Sequence, residues 1–372
     1  MQKVIIIGGG FSGVSAAAGL RRRFEVLLID RQADCNFLPL LPDAIGRDIN
    51  PQALTYRIGT LAQDQGFSFL NAQVISVDVE KCTVTTSEDT LVCDYLIIAS
   101  GSETNFYNND MYRRSAFALD NAQDAKKIDE AIASGLYDTF IIAGGGYTGI
   151  ETATNIKTYF NKRHLNNKKV MIIERAAAIL GPLPEWMKVY VKENLRTMDI
   201  EVVCNTTITR IEGDGVTLSN AKTFTKTMLI WTAGVKTSDF IQNLNAQRNA
   251  QGRITVDEYL RLNPRVFVAG DAAYMAHKDS FLRMAVQFAI TEGSHVALNI
   301  VRSARGKRLK KFKAVDLGYI IPMANNRSCG RVLGINMKGY IPTLMHYCMC
   351  IFRSYGWRNR CAIVRDLFWG RK

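Results

Sequence analysis

Two glycine-rich turns hold the residues best placed to do chemistry. Gly8-Gly9-Gly10-Phe11-Ser12-Gly13 and Gly144-Gly145-Gly146-Tyr147-Thr148-Gly149 both read G-x-G-x-x-G, and each follows an apolar run, at residues 4–7 and 139–143. The chemistry such a turn supports is phosphate binding. Its first glycine permits a sharp strand-to-helix turn, its second lets backbone approach a pyrophosphate, and its third lets helix pack on strand. The helix N-terminus then presents free N–H groups and a positive dipole. Ala17 and Ala153, four residues past the third glycines, keep that packing close. An acidic residue about 20 positions downstream, ending the next strand, accepts ribose hydroxyls. Asp30 stands there after residues 24–29, and Glu174 after residues 170–173, the latter delayed by a basic loop at 161–169. One such turn is a weak signal. Two, each with its acid, point to two dinucleotides in one protein and to electron transfer between them.

The elements that must position these turns read as two Rossmann-like units with mainly parallel sheets. Residues 3–30 predict strand, turn, helix, strand; 69–98 predict short antiparallel strands leading to Ala99-Ser100-Gly101. A linker and helix at 113–130 lead to the second turn, followed by a strand at 170–174, a helix at 184–198 and strands near 201–204, 207–212 and 215–218. That unit closes near Trp231-Thr232-Ala233-Gly234, and the chain returns with Val266-Phe267-Val268-Ala269-Gly270-Asp271 and a helix over 283–303. The expected fold class is α/β: two Rossmann-like dinucleotide-binding domains, an arrangement that resembles the glutathione-reductase-like flavoproteins, followed by an amphipathic tail. The expected domains are 1–112 and 251–305 (first dinucleotide), 113–250 inserted between them (second dinucleotide), and a basic tail at 306–372.

Charge separates the tail from the body. The 372-residue chain carries net charge +13, yet residues 301–372 hold 16 Lys and Arg against only Asp316 and Asp366. The rest is nearly neutral, so the tail seeks a polyanion, either acidic lipid or nucleic acid. No apolar run reaches the roughly 20 residues of a membrane span, and no signal peptide is expected before the first strand. The eight cysteines form no CxxC or CxxxxC, which argues against zinc, an iron–sulfur cluster or a dithiol partner for a flavin. His164, His277, His295 and His346 lack metal spacing, so no metal is expected.

These residues resemble the flavoproteins with two dinucleotide-binding domains, the first holding FAD and the second NAD(P)H. Within them, five stretches are similar to the type II NADH:quinone oxidoreductases: Phe37-Leu38-Pro39-Leu40-Leu41-Pro42, Tyr147-Thr148-Gly149-Ile150-Glu151, Trp231-Thr232-Ala233-Gly234-Val235, His346-Tyr347, and Tyr355-Gly356-Trp357-Arg358-Asn359-Arg360. The resemblance implies non-covalent FAD on Gly8, Gly10, Phe11, Ser12, Gly13, Asp30, Arg31, Leu40, Ala99, Ser100, Gly101, Gly270, Asp271 and Val286. It implies that Asp271 bonds the ribityl chain of that flavin, and it implies NADH on Gly144, Gly146, Tyr147, Thr148, Gly149, Glu174, Ala233 and Gly234. The carboxylate of Glu174 disfavours a 2′-phosphate, although Arg175 softens that repulsion. Glu151, near the positive end of its helix, and Gln287 are the expected catalytic residues, and a membrane quinone is the expected acceptor, reached without proton pumping. The family's A-Q-x-A-x-Q-x-G is here Val286-Gln287-Phe288-Ala289-Ile290-Thr291-Glu292-Gly293, so Thr291 replaces the second Gln. The segment 318–326 also departs from the family.

The tail reads the same way without the family. Trp357, Cys361, Val364 and Phe368, with Leu367, make one helical stripe; Ile341, Leu344, Met345, Cys348, Ile351 and Phe352 make another. Arg358, Arg365, Arg371 and Lys372 lie around the first, and Trp369 suits headgroup depth. Residues 340–372 are therefore expected to lie on an anionic lipid surface, on the cytoplasmic side of the cell inner membrane. A homodimer is one admissible state. Two alternatives stand beside this reading. One is a soluble NAD(P)H-dependent reductase serving an iron–sulfur or disulfide partner. The other is an NADH-sensing flavoprotein with a nucleic-acid-binding tail, like the apoptosis-linked flavoproteins, which the tail aromatics disfavour. A sulfide-oxidising relative would need a cysteine near the second turn to pair with Cys329, and none is there.

Overall fold

The computed structural model describes residues 1–275 and 283–370; His277, Arg371 and Lys372 lie outside them. The chain divides into two compact units, one made of residues 1–35, 56–103 and 235–316, the other of 36–55, 104–234 and 317–372.

In the first unit a six-stranded sheet runs Arg261–Asn263, Val266–Val268, Tyr95–Ile98, Lys3–Ile7, Glu25–Asp30, Ser68–Asn71. All pairings are parallel except the edge strand Arg261–Asn263. Val4, Ile5, Ile6, Leu96 and Ile97 are fully buried, as continuous apolar strands covered on both faces must be. Ser68–Asn71 joins this parallel sheet, where an antiparallel strand was expected; its neighbours Val74–Asp78, Thr83–Thr86 and Thr90–Val92 do form an antiparallel meander. Helix Phe11–Leu20 lies against helix Val286–Ser303 so closely that a Cβ on Gly293 would overlap the carbonyl oxygen of Ser12. That later helix begins at Val286 and not at 283.

The second unit holds a parallel sheet in the order Ile200–Val203, Lys169–Ile173, Thr139–Ala143, Thr227–Trp231. Its core gathers Ile141, Met171 and Leu229 with Trp231, and Tyr112 stacks on Trp231 at 4.2 Å between centroids. Residues 36–55 and the tail pack with this unit. The departure at 318–326 acquires a structural role. Strands Gly318–Ile321, Ser328–Val332 and Ile335–Gly339 form an antiparallel sheet, whose first turn is fastened by the Ala324 N–H donating to Thr154 Oγ1 at 3.2 Å and by the paired amides of Asn194 and Asn325.

Two tail helices follow, Tyr340–Arg353 and Trp357–Trp369. The first turns Thr343, Tyr347 and Cys350 inward and leaves Ile341, Leu344 and Phe352 exposed. The second buries Ile363 and Asp366, with Asp366 accepting from the Asn50 N–H, and exposes Trp357, Phe368 and Trp369. Both expected stripes therefore face water. No helix among the described residues is long and apolar enough to cross a membrane.

Candidate active site: two congruent dinucleotide seats

The two turns are near copies in three dimensions. Gly8 has φ +108° and Gly144 φ +109°, a region that only glycine enters without strain. A Cβ on Gly13 would overlap the Gly8 carbonyl oxygen, and one on Gly149 the Gly144 oxygen. The middle glycines differ in kind: a Cβ on Gly10 or Gly146 would meet nothing within 4 Å. The space before them is open for a ligand's phosphates. Both glycines cap their helices without a side-chain hydrogen bond, and neither helix has an acid in its first turn. Each of these helix N-termini is suited to an anion.

The downstream acids are congruent too. Asp30 Oδ2 accepts from the Gly9 N–H at 2.6 Å and Glu174 Oε2 from the Gly145 N–H at 2.7 Å. The other oxygens accept from the Gln32 and Ala176 N–H groups, both at 2.7 Å. Each carboxylate thus pins its turn while keeping lone pairs for a ribose. Burial raises Asp30 above the usual carboxylate range, against the lowering effect of the Gln32 and Gly9 N–H bonds and Arg31.

In the first unit a cleft of about 110 Å³ is lined by Gly8, Asp30, Arg31 and Ser100, together with Gln73 and Phe240. The last two carried no motif; only the fold brings them there. Arg31 is held outward by Glu103 at 2.8 Å. Ser12 Oγ and Ser100 Oγ are buried and find no hydrogen-bond partner among the described residues, which burial alone disfavours and a bound polar cofactor would relieve. Asp271 accepts from Ser102 Oγ at 2.8 Å and is raised by burial. Gly270, at φ +71°, precedes it and donates its N–H to Glu292 Oε2 at 2.6 Å. Ala99 is buried in this unit, Gly101 has φ +67°, Phe11 is half-buried, and Val286 opens its helix. These residues fit a dinucleotide flavin.

Gln287 is half-exposed, its Nε2 donating to Asp316 Oδ1 at 3.1 Å beside the Arg283–Asp316 ion pair. Thr291 Oγ1 donates to the Gln287 carbonyl of its own helix at 2.9 Å. The residue in place of the second glutamine is thus turned to its own backbone.

In the second unit Thr148 is exposed at the helix start, and Tyr147 meets Tyr319 edge-on at 6.3 Å. Gly234, at φ +105°, is hemmed in by the Tyr107 hydroxyl, next to half-buried Ala233. Leu40 is fully buried in this unit.

Glu151 departs from the expectation of a helix-stabilised anion. It stands at the fifth position of helix Tyr147–Lys162, beyond the reach of the free N–H groups. Protein packs densely around it although part of its side chain stays open. Burial first, and then the Asp43 carboxylate, raise it well above the usual range. Asp43 was not among the expected residues. It is buried, accepts from the Tyr347 hydroxyl at 2.7 Å and pairs with Arg47 Nε at 3.3 Å. No group of three or more acids, histidines and cysteines arranged to hold a metal ion occurs among the described residues.

Comparison with known proteins supports the same architecture. The demethylphylloquinone reductase NdbB of Synechocystis is 24% identical, over 97% of this chain and 94% of that protein. The type II NADH:quinone oxidoreductase NdhA of Mycobacterium tuberculosis is 25% identical, over 99% of this chain and 86% of that one. The NDH2 of Plasmodium falciparum, solved in complex with NADH, superposes with a TM-score of 0.88 at 17% identity, covering 100% of this chain and 99% of that chain. With a family model matching residues 2–293, this chain belongs to the pyridine nucleotide-disulphide oxidoreductases.

Proposed function

We propose that this protein is a type II NADH:quinone oxidoreductase, an FAD-dependent enzyme passing electrons from NADH to a membrane quinone without pumping protons. The observation that carries the reading is the congruence of the two seats, Gly8 with Asp30 and Gly144 with Glu174, in one chain. The named relatives and the fold they share support the choice of acceptor. FAD supplies the hydride acceptor and hands its electrons on. The residues bind and orient. The seat at Gly8, with Ser12, Ser100 and Asp271, holds FAD throughout the cycle; the seat at Gly144, with Glu174, admits NADH and releases NAD. Glu174 favours NADH over NADPH because a second anion would meet a carboxylate there. Glu151 is assigned to the acceptor step, and Gln287 to its edge.

The protein is placed peripherally on the cytoplasmic face of the inner membrane, resting on the tail helices. The outward Ile341, Leu344, Phe352, Trp357, Phe368 and Trp369 enter the interface, and the basic residues around them face anionic headgroups.

The test is NADH oxidation by the purified holoprotein with short-chain menaquinone and ubiquinone analogues, beside oxygen, ferricyanide, a ferredoxin and a disulfide. Quinone is expected to be the fastest physiological acceptor. Rapid turnover with ferredoxin or disulfide and none with either quinone would overturn the assignment.

A further inference from the structure

The polar side of tail helix Tyr340–Arg353 is keyed into a buried charge cluster in the second unit. Asp43, at the start of the short helix Asp43–Gly46, receives the Tyr347 hydroxyl at 2.7 Å and pairs with Arg47 at 3.3 Å, whose guanidinium lies over the Tyr347 ring at 4.9 Å. That short helix crosses helix Tyr147–Lys162 so tightly that a Cβ on Gly46 would overlap the Asn155 backbone. Asp43 lies one turn before the crossing on one helix, and Glu151 one turn before it on the other. Asn155 Nδ2 donates back to the Glu151 carbonyl at 3.0 Å. Cys350, one turn beyond Tyr347, is fully enclosed and feels both carboxyls.

The charges do not balance. Asp43 is paired with Arg47, and Glu151 lies close enough to Asp43 to be raised by it, while Lys162, which bonds the Gly46 carbonyl at 3.1 Å, is paired with Asp48. Burial and Arg47 push His346 down to about 4 and leave it neutral, and Cys350 and Tyr347 are pushed up and stay protonated. Arg353, at the end of the same helix, acts on Cys350 and opposes its rise. One carboxyl must therefore carry a proton. Asp43 holds both the ion pair and the phenol donor, so it is the ionised member, and the proton resides on Glu151.

The overall reaction needs such a proton. NADH, one proton and a quinone give NAD and quinol; the hydride carries both electrons and one proton, and the second proton comes from the medium. We propose that Tyr347 and Asp43 are positioning residues that keep this second proton on Glu151, so that the seating of the lipid-facing tail helix sets proton delivery to the acceptor. The inference rests on the reading under Proposed function. On transfer, the Glu151 O–H breaks as the quinol O–H forms. The resulting pair of carboxylates opposite one Arg47 is unfavourable, which draws a replacement proton from water through the open side of Glu151.

The experiment compares wild type with Tyr347→Phe and Asp43→Asn as holoproteins. Three readouts are taken: single-turnover oxidation of NADH, re-oxidation by a short-chain quinone across pH, and infrared pH titration of the protonated-carboxyl band, assigned with Glu151→Gln. In Tyr347→Phe the NADH step is expected to stay within about twofold, while re-oxidation slows roughly three- to tenfold. Its alkaline limb moves by roughly half a pH unit or more, and the Glu151 band weakens as the proton shifts to Asp43. Asp43→Asn, which removes the carboxylate that adds to the effect of burial on Glu151, is expected to move the Glu151 titration downward and weaken the band. An unchanged pH limb together with an unchanged carboxyl band in both variants overturns the inference. Absence of NADH oxidation in the wild type would instead overturn the underlying function.

Discussion

Glu292 keeps a proton that an exposed glutamate would have lost. Burial pushes it up to about 8, with the Asp271 carboxylate adding to the rise and the Gly270 N–H and Arg253 opposing it. A native-state value above the ordinary 4.5 means that the folded protein binds the proton more tightly. The associated stability is complete below 4.5 and is lost as pH rises toward about 8. Glu292→Gln keeps an acceptor for Gly270 and has no proton to lose. Its melting temperature is expected to gain on wild type steadily through that window and to hold a constant lead above it, by at most about 1.4 kcal/mol per pH unit. Thermal unfolding of both proteins across the window checks this; a constant difference would show that the carboxyl does not titrate there. At Glu174 the effect is on selectivity. Glu174→Gln removes the charge that opposes a 2′-phosphate, so the ratio of kcat/KM for NADH over NADPH should fall roughly tenfold, or about 1.4 kcal/mol. An unchanged ratio would move cofactor choice elsewhere.

Among the elements, the crossing at Gly46 carries the sharpest demand. Alanine there would drive its Cβ into the backbone of Asn155, which cannot move without shifting the whole helix. Gly46→Ala is expected to cost about 2–3 kcal/mol, measured by chemical denaturation, and to slow quinone re-oxidation more than NADH oxidation. A loss below about 0.5 kcal/mol would mean the two helices separate freely. The strand-turn-helix elements at 3–30 and 139–173 were legible because glycine spacing and apolar runs are local signals. The strand Ser68–Asn71 was misassigned in direction, since its partner Glu25–Asp30 lies far back in the chain and pairing is not written in a strand's own residues. The sheet over residues 318–339 was not legible as a docking element, because the Thr154 and Asn194 that fasten its turn belong to distant helices.

For the molecule as a whole, the tail leaves Ile341, Leu344, Phe352, Trp357, Phe368 and Trp369 outward and turns Thr343, Tyr347, Ile363 and Asp366 inward. Replacing Trp357, Phe368 and Trp369 together by serine removes exposed surface only, so the unfolding free energy should change by less than about 1 kcal/mol. Co-sedimentation with anionic vesicles should fall at least roughly tenfold, and what remains should weaken further with salt. Retention of full vesicle binding would place the lipid contact elsewhere. The sequence by itself determined the two dinucleotide seats, their acids and the polarity of the tail, because each depends on residues within one turn, strand or helix. Only the tertiary structure decided which way the tail stripes face, that Tyr347 bonds Asp43, and that Asp43 lies close enough to Glu151 to raise it. Those three come from separate stretches of chain. Glu151 is raised where helix position alone suggested an anion, first by burial and then by the Asp43 carboxylate, and both arise only when the surrounding elements close around it.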